Sequence, residues 1–211
     1  MIVYNDFIQG SDEWLNSRLG KVTASRAKDA RDKLKSGKPS TKQTAYAAQV
    51  ALERIAGRPV DKVFENWQMR EGKAQEPVCR QSYEIATGNV VTEVGALATD
   101  DGLFLYSPDG LIGEDGLLEV KSLFSAERIL QIVGGGDHSD FIDQCNFGLW
   151  LTGRKWIDLA VWCPALEPIG AELHITRITR DDDVINELEA DLMAFAAMVD
   201  DFERRLRLKA A

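Results

Sequence analysis

The chain has 211 residues, 45% of them hydrophobic, enough for a single α/β domain over residues 1–211 with a sizeable core. A formal net charge of −9 argues against a general nucleic-acid binder, because neutralising phosphates needs Lys and Arg. No apolar run approaches the roughly 20 residues needed to span a bilayer, and no charged-then-apolar signal opens the chain, so a soluble, cytoplasmic protein is expected.

In chain order, Ser11 caps a short helix through Leu19, and Thr23 opens another that continues into a basic stretch. From Arg18 to Lys42 nine basic residues stand against Asp29 and Asp32, a local charge of +7. Lys35 to Pro39 reads as a loop. Ser40 with Gln43 then forms a capping-box signal for a helix ending at Gly57. Residues 71–88 (EGKAQEPVCRQSYEIATG) read as a helix with Ala74, Val78 and Ile85 on its buried face and Gly88 as its cap. Pro77 costs least in a first turn, so the helix is expected to restart or kink there, leaving Glu76 at a junction.

Strands are expected at Val90–Val94, Leu103–Tyr106 and Leu117–Ser122, followed by helical patterns at Ala126–Val133 and Ser139–Leu151. Between the latter two, Gly134-Gly135-Gly136 reads as a connector or a mobile lid. Trp156–Cys163 and Leu173–Ile178 read as the last strands. A final helix over about 181–208 carries Ile185, Leu188, Leu192, Phe195, Val199, Phe202 and Leu206 in a heptad-like seam, suited to the core or to a second subunit. Its segment Asp181–Glu203 holds nine acidic residues and no basic one. Against the basic stretch, this suggests a DNA-facing side and a repelling outer side, or simply solvated helix faces. Cys79, Cys145 and Cys163, odd in number and set among apolar residues, read as buried thiols.

Residues 107–121 (SPDGLIGEDGLLEVK) carry the most chemistry. Asp-Gly between apolar runs marks a hairpin. With the turn centred on Glu114, Asp109 and Glu119 lie opposite one another, Cβ atoms about 5 Å apart, where like charges repel unless a cation joins them. Alternation puts Lys121 on the Glu119 face, with Leu118 and Val120 on the other. An even-length loop would shift Asp109 out of that register. Two carboxylates and an ammonium on one face suit Mg²⁺-assisted attack of water on a phosphodiester. A surface hairpin with a solvated Glu and Lys fits the same residues.

Five segments in order, WLNSRLGKVTAS (14–25), GKAQEPVCRQSYE (72–84), SPDG (107–110), LEVK (118–121) and QCNFGLW (144–150), resemble the YqaJ-type viral recombinase nucleases, the lambda-exonuclease family of the PD-(D/E)xK superfamily. The resemblance covers about residues 8–165. It implies an α/β fold with a restriction-endonuclease-like core, a mixed central sheet flanked by helices. It implies Asp109, Glu119 and the Val120 carbonyl as metal ligands, Glu76 as a further acidic ligand, Lys121 as the catalytic lysine and Gln144 near the scissile region. Arg18, Ser25 and Ser107 match a pocket for a 5′-terminal phosphate, and a guanidinium with two hydroxyls is chemically apt for that. Trp14 lies close to that pocket in sequence.

The implied activity is Mg²⁺-dependent 5′→3′ degradation of one strand of linear duplex DNA, leaving 3′ overhangs for recombination, with Mn²⁺ able to substitute. A homotrimer, a single-strand annealing partner and a phage or prophage gene in a bacterial host are further implications. Cys145 and Asn146 depart from the family pattern after the glutamine. A noncatalytic DNA-end-binding adaptor with a nuclease-like fold is the alternative; the intact acidic residues and lysine favour the enzyme. A sequence-specific endonuclease would differ by cutting closed circles.

Overall fold

The computed structural model describes residues 1–60 and 66–209. Strands β1 (Ile2–Tyr4), β2 (Val22–Thr23), β4 (Ala96–Ala98) and β5 (Phe104–Tyr106) form one sheet in the order β1-β4-β5-β2. Strands β3 (Val91–Thr92), β6 (Gly110–Ile112), β7 (Gly116–Ser122), β8 (Trp156–Trp162) and β9 (Leu173–Thr179) form a second, ordered β3-β6-β7-β8-β9. Only β7 and β8 run parallel in that sheet, so it is mixed. Their crossover carries helices α5 (Ala126–Ile129) and α6 (Ser139–Thr152), as a parallel connection requires.

The remaining helices are α1 (Asp12–Ser17), α2 (Ala27–Arg31), α3 (Thr41–Ala56), α4 (Trp67–Thr87) and α7 (Asp182–Lys209). Leu117, Ile157, Leu159 and Val161 face a core built with α2, α3, α6 and α7. Leu118, Val120, Ala160 and Trp162 point the other way, onto Cys79 and Tyr83 of α4. Period-2 alternation along β7 and β8 thus makes a sheet covered on both faces. The seam of α7 is buried from Ile185 to Val199, half-buried at Phe202 and exposed at Leu206. All three cysteines are free, buried thiols.

Several sequence expectations need correction. Helix α4 begins ten residues upstream of Pro77, capped by the Asn66 side chain, and neither restarts nor breaks at the proline. Pro77 is exposed, so its ring lies away from the packed side of the helix. The buried face is Cys79 and Tyr83, whereas Ala74 is exposed and Val78 and Ile85 are 46% and 79% exposed. The helix turns Tyr83 inward, where its Oη donates to the buried Asp158 carboxylate at 2.6 Å. Asp158 already accepts two bonds from Arg177, so what turns the helix is burial of the large Tyr83 ring with its hydroxyl paired, which outweighs a few small aliphatic contacts.

Thr23 belongs to strand β2 and caps nothing; a 3₁₀ turn over Ala24–Arg26 precedes the short α2. The expected strand at 90–94 shrinks to Val91–Thr92, and the helix after Ala126 becomes a π-turn over Leu130–Gly134. The capping box is half formed. Ser40 Oγ accepts from Gln43 N at 3.0 Å, but the Gln43 amide donates to the Ala30 carbonyl instead of turning back.

The supposed charge asymmetry dissolves on folding. Arg31 pairs with Asp143 and Asp191, Lys33 with Asp191, and Arg54 with Asp200 and Glu203. Burial alone would raise the Asp191 carboxyl, but hydrogen bonds from Lys33 and Arg31 outweigh it and hold it below its ordinary value. Arg31 and Lys33 of the basic stretch therefore seat α7, Lys28 pairs with Asp140 of α6, and the stretch does not act as one DNA-facing side.

Candidate active site

The β6–β7 hairpin pairs Gly110 with Leu118 and Ile112 with Gly116, which centres the turn on Glu114. The same register carried one step further sets Asp109 opposite Glu119, as the sequence predicts. Asp109 lies just outside β6, and its carboxylate accepts from Val120 N at 2.6 Å. A strand residue turns its N–H and C=O to the same edge, so the Val120 carbonyl is also directed toward the Asp109 side. Lys121 shares the Glu119 face and donates Nζ–H to Glu119 Oε1 at 2.7 Å.

Glu119 is 1% exposed and ringed by donors. Besides Lys121, the Gln144 amide of α6 donates to Oε1, and Tyr106 Oη donates to Oε2 at 3.2 Å. Burial, and then the Glu119 charge, push the Tyr106 phenol well above its ordinary range, so it stays a donor. Desolvation pushes the Asp109 carboxyl well above the usual carboxylate range, and the charges of Glu119 and Glu76 push the same way. Glu76 is likewise raised, first by burial and further by Glu119, with Arg80 opposing. For Lys121 burial alone would lower the ammonium, but Glu119 and Asp109 together raise it. Three acids thus crowd one region and repel, a pattern that a cation would relieve.

These groups line one cavity of about 380 Å³. Its wall includes Glu76, Asp109, Glu119, Val120, Lys121 and Gln144, and also Arg18, Ser25 and Ser107. Arg18 follows directly on α1, and Gly20 two residues later adopts a left-handed φ of 67° against α3. The Arg18 guanidinium stacks 4.4 Å over Trp14 and donates to Ser25 Oγ at 3.1 Å. Trp14 Nε1 in turn donates to Ser107 Oγ at 2.8 Å. Both hydroxyls accept in these bonds, so each keeps its own O–H to donate. Burial holds the Arg18 guanidinium below its usual value, with Tyr46 and Glu53 opposing.

The nine site residues named from the sequence, Arg18, Ser25, Glu76, Ser107, Asp109, Glu119, Val120, Lys121 and Gln144, therefore all line this one cavity. Arg80 and Tyr106 escaped sequence reasoning. Tyr106 ends the apolar Phe-Leu-Tyr strand immediately before the SPDG segment, which was the available signal; Arg80, one turn after Glu76, gave none beyond its spacing.

Among the described residues, no three acidic, histidine or cysteine side chains stand together at metal-holding distances. The donor chemistry nevertheless fits a hard divalent cation: Asp109 and Glu119 supply carboxylate oxygens, the Val120 carbonyl faces the Asp109 side, and Glu76 is in reach of the same cavity. In this arrangement the Lys121 ammonium provides the counter-charge to Glu119.

Gly148 of α6 sets the approach of Tyr106. A Cβ there would lie 2.7 Å from the Tyr106 ring and 3.0 Å from its hydroxyl. Gly148→Ala is expected to destabilise the protein by about 1–3 kcal/mol, as overpacking does, and to displace the Glu119 contact. Thermal unfolding and turnover should therefore fall together; an unchanged midpoint would show that the ring can move aside freely.

A mixed sheet with acids and a lysine on one strand pair, flanked by helices, places the chain among restriction-endonuclease-like folds. The chain belongs to the YqaJ-like viral recombinase domain family, whose sequence profile matches residues 13–155. It is similar to an alkaline exonuclease from Laribacter hongkongensis, at 35% identity over 95% of this chain and 98% of that one, with a TM-score of 0.83. The same relative in complex with dAMP gives a TM-score of 0.84. A phage-related exonuclease from Haemophilus somnus 129PT shares the fold, at 13% identity over 93% of this chain and 100% of that one, with a TM-score of 0.69. No curated protein sequence matches significantly. No helix among the described residues is long and apolar enough to cross a membrane.

Proposed function

We propose that this protein is a Mg²⁺-dependent 5′→3′ exonuclease that shortens one strand of linear duplex DNA and leaves 3′ single-stranded overhangs. The observation that carries the reading is the single cavity holding the acidic centre at one part of its wall and Arg18, Ser25 and Ser107 at another. Membership of the YqaJ-like family and the likeness to an alkaline exonuclease support the exonuclease class.

Asp109, Glu119 and the Val120 carbonyl would hold Mg²⁺, with Glu76 as a further acid and Mn²⁺ as a substitute. Bound there, the ion supplies positive charge against the scissile phosphate and makes a nearby water more acidic. Lys121 orients the attacking water and offsets the charge that develops on the phosphate. Gln144, anchored on Glu119, fixes that carboxylate and presents its amide to the scissile region. Arg18 grips the 5′-terminal phosphate while the Ser25 and Ser107 hydroxyls donate to its oxygens. Anchoring the end in the same cavity as the acids would select ends over interior sites.

Arg18→Ala is expected to reduce the preference for 5′-phosphorylated over 5′-hydroxyl ends by about 10- to 100-fold, the worth of a hydrogen bond to a charged group. An unchanged ratio would remove Arg18 from the phosphate pocket. The polarity itself is tested on end-labelled linear duplex with Mg²⁺, with a covalently closed circle as control. Release of 5′-labelled mononucleotide first, and a spared circle, are expected; cleavage of the circle would favour an endonuclease. A homotrimer and a single-strand annealing partner belong to the same reading, and sedimentation equilibrium tests the first.

A further inference from the structure

Arg80 lies one helical turn beyond Glu76 on α4, and its side chain is only 13% exposed. Its guanidinium contacts two other segments and attracts Glu76 of its own helix. Nη1 donates to the Asp109 carbonyl at 3.1 Å and lies 3.0 Å from Glu93 Oε2, in the β3–β4 connection. Nη2 stands 3.8 Å from Glu76 Oε1, longer than a direct hydrogen bond. Glu76 is thus attracted but not capped, and it still lines the cavity.

Arg80 itself does not line the cavity that holds Lys121 and Arg18. It borders a second cavity, of about 380 Å³, which shares Glu76 and Asp109 with the first. The guanidinium thus stands beside the same two carboxylates but apart from the wall that holds Lys121 and Arg18. Its contacts are with the acids and the Asp109 main chain, which points to support of the acids.

We infer that Arg80 is a positioning residue that fixes Glu76 of α4 against the Asp109 main chain and so sets the geometry of the cation-binding oxygens. Asp109 and Glu119 need no such device, because the β6–β7 ladder already sets their spacing. Glu76 arrives on a different element and is pushed away by both acids. The planar guanidinium is fixed through Nη1 by the Asp109 carbonyl and Glu93, which sets where the charge that attracts Glu76 stands, as a flexible ammonium would not. Glu93, 73% exposed, anchors the outer side of the fork.

This inference rests on the nuclease reading, and the experiment separates the two. Arg80→Met, Arg80→Lys, Glu76→Gln and the Arg80→Met/Glu76→Gln double variant are compared by Mn²⁺ titration calorimetry, thermal unfolding and Mg²⁺-dependent digestion of linear 5′-phosphorylated duplex. Arg80→Met is expected to weaken Mn²⁺ binding and turnover by about 10- to 100-fold, the usual cost of losing a residue that orients metal ligands. Arg80→Lys should recover part of both. The double variant should be no worse than Glu76→Gln alone, because the two act as one unit. Wild-type Mn²⁺ affinity in Arg80→Met, or fully additive losses in the double variant, would overturn the role. Should Arg80→Met fail to fold, Arg80→Lys and Glu93→Gln decide: each should raise the Mg²⁺ needed for half-maximal turnover while leaving the unfolding midpoint in place, and an unmoved Mg²⁺ requirement overturns the proposal. A wild-type protein inert on linear duplex would sink the nuclease reading, with the calorimetry still reporting on Arg80.

Discussion

Asp109→Asn should abolish Mg²⁺-dependent digestion of linear duplex, with turnover down by at least about 1,000-fold, and should do so in a fully folded protein. The substitution keeps an oxygen to accept from Val120 N, a bond of 2.6 Å, and removes only the charge. That charge is an unfavourable one in the metal-free protein, since desolvation and then Glu119 and Glu76 push the carboxyl well up. The unfolding midpoint without metal is therefore expected to hold or rise. Asp109→Ala should lose activity equally but be less stable, by about 1–3 kcal/mol, because the buried Val120 N–H loses its acceptor. Mn²⁺ binding measured by calorimetry should collapse in both. Full activity in either variant would refute the assigned centre.

Lys121→Met should behave differently, and the contrast is informative. Turnover is expected to fall by about 100- to 1,000-fold, the range seen when one group that stabilises developing charge is removed. Cation binding should survive or tighten, because Nζ no longer occupies Glu119 Oε1 at 2.7 Å. Without metal, however, Glu119 would lose its charged partner and keep only Tyr106 and Gln144 as side-chain donors. The metal-free protein should thus unfold at a lower temperature, and added Mn²⁺ should restore more stability than it does in the wild type. If Lys121→Met lost cation binding as Asp109→Asn does, the lysine would be a structural partner of Glu119 and not the group that acts on the phosphate.

The hairpin was legible because its rules are local. A turn centred on Glu114 and a side-chain period of two leave no freedom in which residues face Asp109 or share a side with Glu119. Both cores confirm the alternation, with Leu117 on one and Leu118 and Val120 on the other. The face of α4 was not legible. Ala74, Val78 and Ile85 form the more apolar stripe, yet Tyr83 turns inward to reach Asp158, 75 residues away. The short strands β1, β2 and β4 also escaped, since two or three residues carry no measurable period.

The amino-acid order alone determined that Lys121 shares the Glu119 side and, given a turn centred on Glu114, that Asp109 opposes Glu119, because backbone pairing across a tight turn transmits position locally; the turn length was set by the fold. Folding decided everything that joins distant segments. It brought Arg18 and Ser107 to one cavity, tied Arg80 to Asp109, and matched Arg31 and Lys33 with Asp191 of α7. Those pairings depend on which helix faces meet, and Coulomb attraction between residues 31 and 191 has no signature in either stretch read separately.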